Sequence, residues 1–140
     1  MFWERVIVRD QERLLISKNG RFDRILLPGE YRIRVAPFVS LEREKHSVAD
    51  LVFRSSWADY LLRARPEVVE QHFTRVETND AQVGIVYVNS ELFTVLVPSK
   101  RLLFWRGQAN VTAEMIEVVA ENDPPAEMFE AVLSASARAR

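Results

Sequence analysis

Short apolar runs, broken at close intervals by turn-forming residues, set the rhythm of this chain. Val6-Ile7-Val8 and Arg13-Leu14-Leu15-Ile16-Ser17 are brief and apolar or β-branched, which predicts strands. Asn19-Gly20 follows, the pair most able to adopt the two positive φ values of a type I′ hairpin turn. Arg21 to Leu26 alternates and is expected to bring the chain back antiparallel. Pro28-Gly29 suits the centre of a type II turn, where Pro presets φ and Gly accepts a positive value. Tyr31-Arg32-Ile33-Arg34-Val35 then alternates as a further strand.

The same plan returns 70 positions later. Arg5-Val6 falls on Arg75-Val76, Asp10 on Asp80, Asn19 on Asn89, Leu26 on Leu96 and Pro28 on Pro98. Apolar positions agree in the same register, Leu15 with Ile85, Ile16 with Val86, Ile25 with Val95 and Ile33 with Leu103. Agreement of turn residues and apolar pattern together predicts an internal duplication. The second copy runs Val83 to Val88, a turn at Asn89-Ser90, Leu92 to Val97, a turn at Pro98-Ser99, and Arg101 to Trp105. Ser90 and Ser99 stand where the first copy has Gly20 and Gly29, so these turns should be more strained or of another type.

Each half then continues into a strand and helix. His46 to Phe53 reads as a strand, and Ser56 with Asp59 as a capping pair opening a helix through Leu62. Pro66 suits the first residue of a second short helix, Pro66 to His72. In the second half Met115 to Val119 is strand-like, and Asp123 is expected to cap a helix towards Ala137. Met128, Phe129, Val132 and Leu133 would share one face of that helix. The expected fold is therefore α+β: two tandem β-hairpin-rich repeats, residues 1–72 and 73–140, each followed by helix packed on one side of antiparallel sheet. The two repeats could equally form one compact pseudo-symmetric domain.

Composition narrows the function. At 48% hydrophobic and 28% charged residues the chain can bury a core and is not of the disordered class. A net charge of -1 argues against a chain-wide polyanion binder. The charge is nonetheless polarised, basic up to about Lys45 and acidic beyond His46, most densely between Glu114 and Glu130. Such polarity suits head-to-tail contact between copies or docking on an oppositely charged partner. Without Cys there are no disulfides or thiolate ligands, which mildly favours a reducing cytoplasm. No apolar run is long enough to span a membrane, and the start Met1-Phe2-Trp3-Glu4-Arg5 does not read as a signal peptide.

Candidate chemistry is sparse. His46 lies in a charged stretch expected to be an exposed strand edge, and His72 closes a helix, where an imidazolium suits the dipole. The carboxylate pairs Glu42/Glu44, Glu67/Glu70 and Glu127/Glu130 fit solvated faces better than acid–base work. Four scattered glycines build no phosphate loop. No enzyme, cofactor or metal site is predicted. A nucleic-acid alternative rests on Arg21, Arg24, Arg32 and Arg34 beside Phe22 and Tyr31, a basic and aromatic strand surface able to stack bases. Phe2, Trp3, Phe104 and Trp105 read as core or staple residues that become anchors for a protein partner wherever they are exposed. The candidate interaction surface is Arg21, Arg24, Arg32, Arg34 and Trp105.

The stretches Val8 to Arg32 and Gln82 to Trp105 resemble bacterial slipins, relatives of stomatin and prohibitin that carry the SPFH or band 7 domain. In that family a strand, a hairpin containing Gly-Arg and a Leu-x-Pro-Gly turn lead into the domain, as Gly20-Arg21 and Leu26-Leu27-Pro28-Gly29 do here. The chain departs from the family in lacking the membrane-inserting apolar segment, the long SPFH body and the coiled coil. The resemblance implies the N-terminal repeat region of a longer slipin-like protein, or a stand-alone relative. It implies an assembly module with protein partners, itself or other scaffold components, in the cytoplasm and peripheral to a membrane through the full-length protein.

Overall fold

The computed structural model describes residues 2–118. The chain divides into two compact units, the first ending at Val68 and the second beginning at Val69. Among the described residues the architecture is α+β, with antiparallel hairpin sheets and two short helices. The expected helix from Asp123 towards Ala137 lies outside the described residues.

The first unit contains β1 (Phe2–Val8), β2 (Glu12–Lys18), β3 (Arg21–Leu26), β4 (Gly29–Val35) and β5 (Leu41–Ser47). β1 pairs with β4 in a two-stranded sheet, and β3, β2 and β5 form a three-stranded sheet with β2 central. Val6, Val8, Leu14, Ile16, Leu26 and Ile33 meet in one core cluster, so the two sheets pack face to face. β2 buries four residues in a row, Leu14 to Ser17, because its second face is covered as well. That cover is the segment after β5. The Trp57 ring lies 5.9 Å from Phe22, Phe53 lies 5.0 Å from His46, and the Arg65 guanidinium sits 5.5 Å above the Phe22 ring. Each large apolar side chain buried this way contributes about 1.5–3 kcal/mol.

Two helices follow, α1 (Ala58–Ala64) and α2 (Pro66–His72), the latter with the bounds the Pro66 signal predicts. α1 departs from the expected capping box. Its N-cap is Trp57, which makes no side-chain cap bond, and Asp59 falls in the first turn, where its charge suits the dipole. The Ser55 hydroxyl accepts the Trp57 N–H instead, at 3.1 Å. β5 also departs: the strand is Leu41–Ser47, not His46 to Phe53, and the chain turns at Ser47 to Asp50. The charged stretch Glu42-Arg43-Glu44-Lys45 is an edge strand, as its charges lead us to expect, and there charges stay solvated and discourage stray pairing.

The second unit contains β6 (Phe73–Glu77), β7 (Gln82–Val88), β8 (Glu91–Leu96), β9 (Arg101–Trp105) and β10 (Val111–Glu117). The last begins earlier than the Met115 start expected from its apolar run. β6 pairs with β9, and β10, β7 and β8 form a three-stranded sheet with β7 central. This is the first unit's plan, offset by 70 residues. The detail repeats too. Both hairpins shift register at one place, between Ile16 and Ser17 and between Val86 and Tyr87. Asn19 accepts the Ser40 N–H through Oδ1 at 2.8 Å, and Asn89 accepts the Asn110 N–H at 2.9 Å. Asn19 and Gly20 have φ of 50° and 75°, and Asn89 and Ser90 have 51° and 67°, so the I′ turn survives loss of its glycine under strain.

One element breaks the symmetry. Val6 faces Tyr31 across β1–β4, but its counterpart Val76 faces Leu102, one residue beyond Arg101. A slip of one residue turns every side chain of β9 to the opposite face. The origin is the Pro-containing turn. In the first copy Gly29 takes φ 154°, not the type II value, and enters β4 at once. In the second, Ser99 takes φ 59° and the chain stays in the turn until Lys100. Thr78, standing where the first copy has Val8, pins it: its hydroxyl donates to the Val97 carbonyl at 2.7 Å and accepts the Lys100 N–H at 3.1 Å.

Candidate interaction surface

Strand alternation decides what β1 and β4 present to solvent. With Val6, Val8, Ile33 and Val35 buried, the outward positions are Trp3, Arg5 and Ile7 on β1 and Glu30, Arg32 and Arg34 on β4. Cross-strand neighbours on this face are Trp3 with Arg34, Arg5 with Arg32, and Ile7 with Glu30. Trp3 is 63% exposed and Ile7 59%. Arg5 Nε lies 2.5 Å from Glu30 Oε1. Beyond the same end of the sheet, Phe2 is also largely exposed, and Phe38 is fully exposed at φ 65° in the loop after β4. Large apolar side chains and cations thus share one surface.

Beside this face the free edge of β1 adjoins the edge strand β5, and a groove of about 560 Å³ runs between them. Its walls include Arg5, Arg9, Arg43 and Lys45, and Val6, Val8 and Leu14 supply apolar lining. Arg43 bridges to Glu4 at the β1 wall. Lys45 Nζ lies 2.6 Å from Glu12 Oε2. That bond, with the Arg9 N–H donated to the same carboxylate, holds the Glu12 pKa below the usual carboxylate value.

The second copy has no equivalent face. Because β9 has slipped, Phe104 points to the Val76 side and is fully buried, its ring 5.8 Å from Phe93. Trp105 takes the other face opposite Phe73, ring to ring at 4.7 Å, and is only 2% exposed. Trp105 is therefore removed from the candidate surface. At the groove positions Arg43 and Lys45 become Ala113 and Met115, and Leu14 becomes Gly84. The Met115 sulfur would lie 3.4 Å from a Cβ placed on Gly84, and Thr78 Cγ2 only 3.2 Å, so side chains fill that space.

The four arginines separate into two sites. Arg32 and Arg34 lie on the exposed β1–β4 face. Arg21 and Arg24 lie on β3, in the other sheet, with Arg24 Nε 2.8 Å from Asp23. Phe22 is buried beneath Trp57, and the Tyr31 hydroxyl donates to the Leu27 carbonyl at 2.7 Å, so neither aromatic is a free stacking platform. Trp3 and Ile7 were legible as the outward set of an alternating strand, had β1 been extended back to Phe2. His46 is half-buried, not exposed, with Nε2 2.6 Å from Glu44 Oε1. His72 ends α2 and is buried. Glu67 is held below its usual pKa by Arg65, 2.5 Å away. Among the described residues no cluster of His, Asp or Glu is arranged for a metal, and no helix is long and apolar enough to cross a membrane. Comparison with family models, curated proteins and solved structures yields no match to this chain.

Proposed function

We propose that this protein is a non-enzymatic assembly module that works by binding protein, in the first instance other copies of itself, as part of a slipin-like, membrane-associated scaffold in the cytoplasm. One observation carries the binding role: exposed Trp3 and Ile7 lie among Arg5, Arg32 and Arg34 on the outward face of β1–β4. Trp and Arg are the side chains that most often anchor protein interfaces, since they combine large contact area with directed polar groups. A monomer gains nothing by leaving both Trp3 and Ile7 in water, where burying them would release about 1.5–3 kcal/mol each. The slipin part of the reading rests on the hairpin and Pro-Gly motifs alone.

Sedimentation velocity over a range of concentrations tests the reading. Wild type should associate, and the double variant Trp3→Ser, Ile7→Ser should sediment as a monomer with an unchanged far-ultraviolet circular dichroism spectrum. A wild-type chain that stays monomeric at every concentration and ionic strength would overturn self-assembly.

A further inference from the structure

We infer that the groove between the free edges of β1 and β5 is a receptor for the acidic stretch of a second copy, the run between Arg106 and Arg138. This deepens the reading above and rests on it, since it names the partner segment and the place where it binds. The groove lies between two strands that each pair on one side only, β1 with β4 and β5 with β2, among the described residues. An extended segment entering it meets unpaired backbone edges and apolar lining from Val6, Val8 and Leu14. Four cations line the walls, of which Arg5, Arg43 and Lys45 are ion-paired to Glu30, Glu4 and Glu12, so the wall keeps a net positive charge that an acidic segment can meet.

The sequence supplies a complementary ligand. From Gly107 to Ala137 there is no Lys or Arg, whereas Glu114, Glu117, Glu121, Asp123, Glu127 and Glu130 all fall within that run. Of the four groove cations only Arg5 keeps a basic counterpart in the second copy, Arg75: Asn79, Ala113 and Met115 replace Arg9, Arg43 and Lys45. Receptor and ligand are thus divided between the two halves of one chain. A contact of this kind is heterologous, so each copy keeps one unsatisfied end and assembly grows head to tail. Its charged component weakens as salt shortens the screening length.

The test uses the full chain and a fluorescein-labelled peptide of residues 107–130, followed by anisotropy at low and high ionic strength. Saturable binding at low salt, weakened at high salt, is expected. The double variant Arg43→Ala, Lys45→Met, which installs the residues of the corresponding strand β10, should bind at least about tenfold more weakly. A peptide with its Glu and Asp changed to Gln and Asn should lose binding to a similar extent. The inference is overturned by absence of binding at low salt, by equal affinity of the variant, or by equal affinity of the neutral peptide. Tighter binding of a single-stranded oligonucleotide than of the peptide would also overturn it. If the peptide fails while wild type still associates through Trp3 and Ile7, the receptor assignment falls and the assembly role stands.

Discussion

Single residues carry the backbone strain of this fold and the ion pair that gives it a pH signature. Ser90 holds φ 67° in a turn that its counterpart Gly20 occupies at 75°. Non-glycine residues in this region cost about 1–2 kcal/mol, so Ser90→Gly should stabilise the protein by about 0.5–1 kcal/mol once the added freedom of the unfolded chain is deducted. Gly20→Ala should destabilise it by about 1 kcal/mol. Urea midpoints at constant slope measure both. Ile16, fully buried between the sheets, should cost about 2–5 kcal/mol on change to Ala in the same assay. Glu12 gives a pH signature. Its folded-state pKa is depressed by Lys45 and the Arg9 N–H, so its contribution is present above the unfolded pKa and lost as pH falls through the folded one. Glu12→Gln should therefore narrow the stability difference between neutral and acid pH, read from urea midpoints across the carboxylate range.

At the scale of elements, the duplication was legible where turn residues and alternation agree, and illegible where edges and register decide. The β2–β3 hairpin and its copy were marked by Asn19-Gly20 and by the apolar pattern. β5 was misplaced because an edge strand satisfies its backbone while remaining charged, so no apolar run marks it. The slip of β9 was hidden for a different reason. Leu102, Leu103, Phe104 and Trp105 are all apolar, and a run without alternation does not reveal which residues point to which side. The hydroxyl of Thr78, not the apolar pattern, fixes that register through the turn before β9. Thr78→Val should thus cost about 1 kcal/mol of stability by removing both bonds. In the amide spectrum, the changes should concentrate at residues 97–105.

For the whole molecule, the two copies share a plan and differ in what they expose. With Phe73, Phe104 and Trp105 all buried, the second copy lacks the exposed aromatic of the first copy's outward face. The candidate set read from the basic and aromatic strands mixed Arg21 and Arg24 of one sheet with Arg32 and Arg34 of another. It also included a Trp that is buried. Composition records which residues exist; the face each one takes depends on register. The central claim is that association runs through the first copy's β1–β4 face. Amide hydrogen exchange, compared between dilute and concentrated protein, tests it most directly. Protection should rise with concentration in residues 2–9 and 29–35 and stay constant in residues 73–77 and 101–105. A rise confined to the second copy, or no concentration dependence in either, would contradict it.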